Sequence, residues 1–202
     1  MDGKKLGIVI IAAGNSSRLG TTKQLVRFKG TTLLQRAVDL ATSLSKKTVC
    51  VLGYQADRVR LGSNINEATC IVNTNWHLGM GSSIAVGCEY LCDQTDAILI
   101  MLCDQYQLQA QDVEQLLQSC QQHPNKIIAS EYFEEKYGKM IVGAPAIFPK
   151  QYYHQLKQLT KTGARKILEK NIKNRIAIPL KNAAADLDTQ EDLDTLLEIN
   201  HD

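Results

Sequence analysis

At 202 residues, 44% of them apolar and 22% charged, the chain is a globular type long enough to bury a sizeable core as one domain. Its 23 basic and 21 acidic residues leave a net charge of +2, which excludes nucleic-acid or anionic-membrane binding through bulk charge. No apolar run reaches the length of a membrane span. The seven-residue run after Met1-Asp2-Gly3-Lys4-Lys5 is too short for a signal peptide, so a cytoplasmic location is expected.

The run Ile8-Val9-Ile10-Ile11-Ala12-Ala13 reads as a strand buried on both faces. It opens into Gly14-Asn15-Ser16-Ser17-Arg18-Leu19-Gly20, with Lys23 just beyond. Ala12, Ala13 and Gly14 carry so little side chain that a flat ligand can lie against the backbone. The main-chain N–H groups and hydroxyls of Asn15, Ser16 and Ser17 suit phosphate oxygens, and Arg18 and Lys23 add charge. Thr31 to Leu44 is a predicted helix capped by Thr31 or Thr32, with Leu33, Leu34, Ala37, Leu40, Ala41 and Leu44 at helical spacing. Strands are expected at Thr48 to Leu52 and Thr69 to Val72, with a short helix from Ala56 broken at Gly62 between them.

Asn73 to Ser83 reads as a long polar, glycine-rich loop, followed by a helix from Ile84 to Leu91. Ala97 to Leu102 is a second strand buried on both faces, ending in Cys103-Asp104-Gln105. A helix over Gln109 to Gln121 and a strand over Lys126 to Ser130 follow. Glu131 to Lys139 reads as an exposed excursion or hairpin, and Ile141 to Phe148 as extended chain. Tyr152 to Leu159 and Arg165 to Lys170 are helical, and Arg175 to Pro179 is a strand. Thr189 with Asp192 forms a capping box opening a terminal helix. The six cysteines sit mostly in apolar runs, as buried reduced thiols do; Cys88 and Cys92, i and i+4, lack the further ligands a metal needs.

This alternation predicts an α/β fold, a mostly parallel sheet with helices on both faces. Such sheets bind ligands outside the carboxyl ends of their strands. Three loops leave those ends: Ala12 to Lys23, Asn73 to Ser83, and Cys103-Asp104-Gln105. Asp104 is placed either to bind Mg²⁺ on nucleotide phosphates or to shape a turn. Asp186 and Asp188 precede the last helix, as caps or as a second metal ligand. Gly14 to Gly20 is not a P-loop, because Lys23 is displaced, and Gly79-Met80-Gly81-Ser82-Ser83-Ile84 lacks the third glycine of a dinucleotide fingerprint. Ser16 and Ser17 lack the context of a nucleophile elbow. Of His77, His123, His154 and His201, only His77 lies in a candidate site loop.

In this order the blocks resemble the nucleotidyltransferases that attach CMP or GMP to molybdopterin, the molybdenum cofactor cytidylyltransferase-like family. The blocks are Ala12-Ala13-Gly14-Asn15-Ser16-Ser17-Arg18-Leu19-Gly20 with Lys23; Asn75-Trp76 with Gly79-Met80-Gly81-Ser82-Ser83; Leu102-Cys103-Asp104-Gln105; Gly143 to Phe148; Gly163-Ala164-Arg165; and Asp186 to Asp192. The chain departs from the family pattern at Tyr106, where proline is usual, and at Thr160-Lys161-Thr162, where an acidic residue is usual. The resemblance implies a three-layer, Rossmann-like fold of the nucleotide-diphospho-sugar transferase type. It also implies transfer of a nucleoside monophosphate from a Mg-NTP to a phosphate acceptor, with release of pyrophosphate. Ala12 and Ala13 favour the cytidylyl branch, hence CTP, with molybdopterin as acceptor and a molybdoenzyme or its chaperone as the protein receiving the product.

Carried over by residue, Arg18 holds the leaving phosphates, Lys23 the α-phosphate, and Asp104 with Asp186 the Mg²⁺. Ala12, Ala13 and Gly14 face the base, Gly81 and Ser82 contact base or ribose, and Trp76, Ser83 and Arg165 face the acceptor. A sugar phosphate as acceptor, or a non-catalytic maturation protein on the same fold, are the alternatives.

Overall fold

The β-branched run of Leu6–Ala12 forms β1, with every side chain buried. Its residues alternate across the pleat. Ile8, Ile10 and Ala12 enter one core, and Val9 and Ile11 enter another. In the computed structural model, which describes residues 5–135 and 138–201, β1 pairs in parallel with two neighbours. These are β4 (Thr48–Leu52) and β6 (Ala97–Leu102). The reading of Met1 to Lys4 falls outside the described residues.

Arg27–Phe28 and Thr31–Thr32, strands β2 and β3, make a small separate hairpin ahead of helix α1 (Leu33–Leu44). Thr32 caps α1 by accepting the Gln35 N–H at 3.1 Å, as predicted. Helix α2 (Ala56–Gly62) and strand β5 (Thr69–Val72) follow β4. Helix α3 (Met80–Leu91) leads into β6, and α4 (Ala110–Gln122) into the pair β7 (Ile127–Glu134) and β8 (Lys139–Pro149). Then come α5 (Tyr153–Lys157), α6 (Arg165–Lys170), β9 (Arg175–Pro179) and α7 (Gln190–His201).

The strand order is β5-β4-β1-β6-β8-β7-β9, and β8 alone of these seven runs antiparallel to its neighbours. Helices cover both faces: Leu34, Val59 and Val113 bring α1, α2 and α4 onto one core, and Ile84, Leu156 and Ile167 bring α3, α5 and α6 onto the other. Each of these fully buried aliphatic side chains contributes on the order of 2 kcal/mol by leaving water. The fold is the expected mostly parallel three-layer α/β arrangement. Glu131 to Lys139 takes the hairpin alternative, with Glu131 to Glu134 continuing β7; residues 136 and 137 lie outside the described residues.

One expectation is corrected. Asn73 to Ser83 is not a single loop, because α3 already begins at Met80, after one tight turn over Trp76–Leu78. Gly79, at φ 120°, turns the chain into the helix. Gly81 sits in its first turn because a Cβ there would collide with the carbonyl oxygen of Thr162. These glycines serve a helix pressed against another backbone, not a flexible loop.

A third, smaller core joins distant parts of the chain. Leu19, Phe28, Leu33, Tyr106, Leu187 and Leu196 bury one another beside the carboxyl ends of β1 and β6. Phe28 and Tyr106 meet edge to face at 5.2 Å. Tyr106 therefore has a packing role at the position where the resemblance leads one to expect proline.

Candidate functional site

The loops leaving β1, β5 and β6 enclose a cleft of about 310 Å³. Ala12, Ala13, Gly14 and Asn15 form one wall, Trp76, His77 and Ser83 a second, and Lys23, Cys103 and Asp104 lie between them. The Trp76 ring packs edge to face on Tyr54 at 5.3 Å. His77 is exposed, with its ring against Trp76.

Backbone geometry explains the first wall. Ser16 adopts φ 51°, and its carbonyl accepts the N–H groups of Leu19 and Gly20, each at 3.1 Å. Its hydroxyl accepts the Lys23 N–H at 3.2 Å. Ser16 thus pins the loop while Leu19 anchors it in the third core, leaving Gly14, Asn15, Ser17 and Arg18 exposed. Gln24 is 1% exposed and holds the wall from behind, donating to the carbonyls of Ala12 and Gly14, both at 2.9 Å. Nothing in the sequence singled out Gln24, a polar residue in a polar stretch.

The charged centre is a chain of ion pairs. The Lys23 ammonium contacts the Asp104 carboxylate, donates to Asp188 at 3.0 Å and reaches the Leu187 carbonyl at 3.4 Å. Arg18 donates to the other oxygen of Asp188 at 2.8 Å. Burial by itself would lower the Lys23 ammonium, but the charge of Asp104 with that of Asp188 prevails and holds it above the ordinary lysine value. The neighbouring Cys103 thiol is pushed up to about 12 by burial and then by Asp104, so it stays protonated.

Asp188 is placed by local structure. Asp192 accepts the N–H groups of Asp188 and Thr189 at 2.9 and 2.6 Å, completing the predicted cap with Thr189. Leu187, fully buried in the third core, fixes the register on either side of itself. Asp186, on its other side, is raised to about 7 by burial and by the charges of Asp104, Asp188 and Glu134. Carboxylate oxygens that repel one another in this way fit a hard divalent cation, which relieves the repulsion. Among the described residues, no three His, Cys, Asp or Glu side chains are gathered as a preformed metal cage.

Gly81, Ser82 and Arg165, also expected in the site, are not among the residues that line the cleft. Gly81 and Ser82 are buried, with Ser82 N–H donating to the Thr160 carbonyl at 2.8 Å. Asn73 donates to the hydroxyls of Ser82 and Ser83 at 2.8 and 3.0 Å. Arg165 opens α6, is exposed, and pairs with Glu169 at 3.0 Å. Cys88 and Cys92 turn their thiols to the carbonyls of Tyr153 and Glu89. Among the described residues no helix is long and apolar enough to cross a membrane.

Residues 8–176 match the MobA-like NTP transferase domain. The chain belongs to that family. Rv0371c from Mycobacterium tuberculosis H37Rv superposes with a TM-score of 0.82 at 25% identity, over 98% of this chain and 100% of that one. A structure of that protein in complex with manganese gives 0.74 at 23%, covering 96% and 98%. Molybdopterin-guanine dinucleotide biosynthesis protein A from Archaeoglobus fulgidus shares the fold, with a TM-score of 0.68 at 16% identity over 96% and 97%. A curated relative, nicotine blue oxidoreductase of Paenarthrobacter nicotinovorans, is 33% identical over 126 residues. That match spans 61% of this chain and 60% of the relative's length.

Proposed function

We propose that this nucleotidyltransferase-family chain moves CMP from CTP to the phosphate of molybdopterin or the molybdenum cofactor and releases pyrophosphate. The observation that carries the reading is Lys23, half-buried between two carboxylates in a cleft walled by Ala12, Ala13 and Gly14. A phosphate nucleophile is already ionised, so the site needs position and positive charge more than a base. Lys23 faces the α-phosphate and offsets the charge that builds there, and Arg18 takes the β- and γ-phosphates. Asn15, Ser16 and Ser17 offer N–H and hydroxyl groups to the same chain. The base lies on Ala12, Ala13 and Gly14, with Gly81 and Ser82 shaping the far end, and Trp76, Ser83 and Arg165 face the acceptor.

Asp104 with Asp186 would hold Mg²⁺, or Mn²⁺, which when bound neutralises the triphosphate. Asp188 is the ion partner that both cations leave when phosphates arrive. The choice of CTP rests on the resemblance carried by Ala12 and Ala13.

The test is pyrophosphate release with each NTP, against molybdopterin and against sugar phosphates. Release with CTP and molybdopterin alone is expected. Turnover with a sugar phosphate instead replaces the acceptor. No release with any pair, together with Asp104→Ala retaining function in cells, makes the chain a non-catalytic maturation protein.

A further inference from the structure

Cys50 on β4 and Cys70 on β5 are direct partners in the parallel register. Adjacent strands lie about 4.8 Å apart, inside the roughly 4.4–6.8 Å of Cα separation that a disulfide spans. Both side chains enter the same core, and the Cys70 thiol lies 3.8 Å from the Ala68 carbonyl. Their surroundings differ. Cys50 is fully buried, whereas Cys70 is half-buried on the edge strand, where the charge of Arg60 on α2 favours its thiolate. The neighbouring Cys50 draws the Cys70 thiol down to about 6 against its own burial, and the Arg60 charge adds to this. Pairing with Cys70, together with burial, pushes Cys50 up, so Cys50 keeps its proton. The other four cysteines are buried, and burial pushes Cys88 and Cys103 up to about 12. One thiol of the six is therefore both accessible and inclined to be a thiolate, and its neighbour across the ladder is a thiol.

We propose that Cys50 and Cys70 form a peroxide-oxidisable dithiol, a modification site separate from the nucleotide cleft. The Cys70 thiolate attacks hydrogen peroxide, breaking the O–O bond; it gains a hydroxyl as sulfenic acid, and the departing hydroxide takes a proton as water. The Cys50 sulfur then attacks the Cys70 sulfur. The S–O bond breaks, the hydroxyl leaves with the Cys50 proton as a second water, and the disulfide remains. Two thiols are oxidised by two electrons and one peroxide is reduced. The Arg60 charge favours the Cys70 thiolate.

The test treats the whole chain with hydrogen peroxide, alkylates the remaining thiols and maps the peptides by mass. Expected is the loss of two hydrogens, a Cys50 peptide joined to a Cys70 peptide, and reversal by a dithiol reductant. In Cys50→Ser the sulfenic acid on Cys70 persists and is trapped by dimedone. In Cys70→Ser the same exposure leaves the other thiols free. Six free thiols in the treated wild type, or a link joining any other pair, overturns the proposal without touching the nucleotidyltransferase reading. Because the wild-type map decides, a variant that fails to fold does not spoil the test.

Discussion

Lys23 and Asp188 lie 165 positions apart in the chain and meet at 3.0 Å. The pair closes the site: a cation from the first loop is held by a carboxylate that the last helix positions. It also explains why the third core matters. Leu19 and Leu187, one beside each charged segment, are buried together in it, so packing there sets the distance between the charges.

Removing Lys23 leaves the Asp104 side chain, 8% exposed, without its cation. An unpaired carboxylate at that depth costs folding free energy, so Lys23→Met is expected to lose about 2–4 kcal/mol. Because the loss comes from the orphaned charge, adding Asp104→Asn should return more than half of it. Urea midpoints of the two single variants and the double variant measure this coupling. Simple additivity would mean the pair is not what holds the two residues.

Arg18 separates stability from turnover. Its side chain is 63% exposed, and an ion pair at such a surface contributes little to folding. Arg18→Ala is expected to change stability by less than about 0.5 kcal/mol and to lower pyrophosphate release by roughly 100-fold, as loss of a charge-stabilising group does. Unchanged turnover would take Arg18 out of the site.

How much of this was legible depended on how local the cause was. Thr48–Leu52, Thr69–Val72 and Ala97–Leu102 have the same bounds in sequence and structure, because apolar runs between polar or glycine stops carry their own ends. The start of α3 was not legible. Gly79 and Gly81 look like loop residues until the Thr160 to Thr162 backbone, about eighty positions away, is packed against them. Asp186 and Asp188 were both visible as carboxylates, yet which one reaches Lys23 depends on Leu187 entering a core with Leu19, Phe28, Leu33, Tyr106 and Leu196. Gln24 carries no pattern at all; only burial reveals that it holds Ala12 and Gly14.

Gly81 offers a test of that second wall. A methyl group there meets backbone atoms of Thr160 and Thr162, which do not swing aside as a side-chain tip would. Gly81→Ala is expected to cost about 1–3 kcal/mol, typical of overpacking. Gly81 is assigned to the base and the displaced segment precedes Gly163-Ala164-Arg165, so KM for the nucleotide and KM for the acceptor should both rise. An unchanged KM for the acceptor would place the 160–165 segment away from it.

Alkaline pH probes the core behind the cleft. Burial, then the neighbouring Cys92, pushes the Cys88 thiol from 9.0 up to about 12 in the folded chain. Below pH 9 both folded and unfolded chains keep the proton, and this group makes no difference. Between 9 and 12 the unfolded chain loses it while the folded chain cannot, so folding stability falls as pH rises. One such group gives a slope of about 1.4 kcal/mol per pH unit. Cys103 acts in the same direction, so the wild type should fall more steeply than one group alone requires. Cys88→Ala pays a pH-independent packing loss on the order of 1 kcal/mol, and above pH 9 its stability should decline more shallowly than that of the wild type. Urea unfolding at pH 8, 10 and 11 reads both effects, and parallel declines in the two proteins would mean that Cys88 is not held protonated.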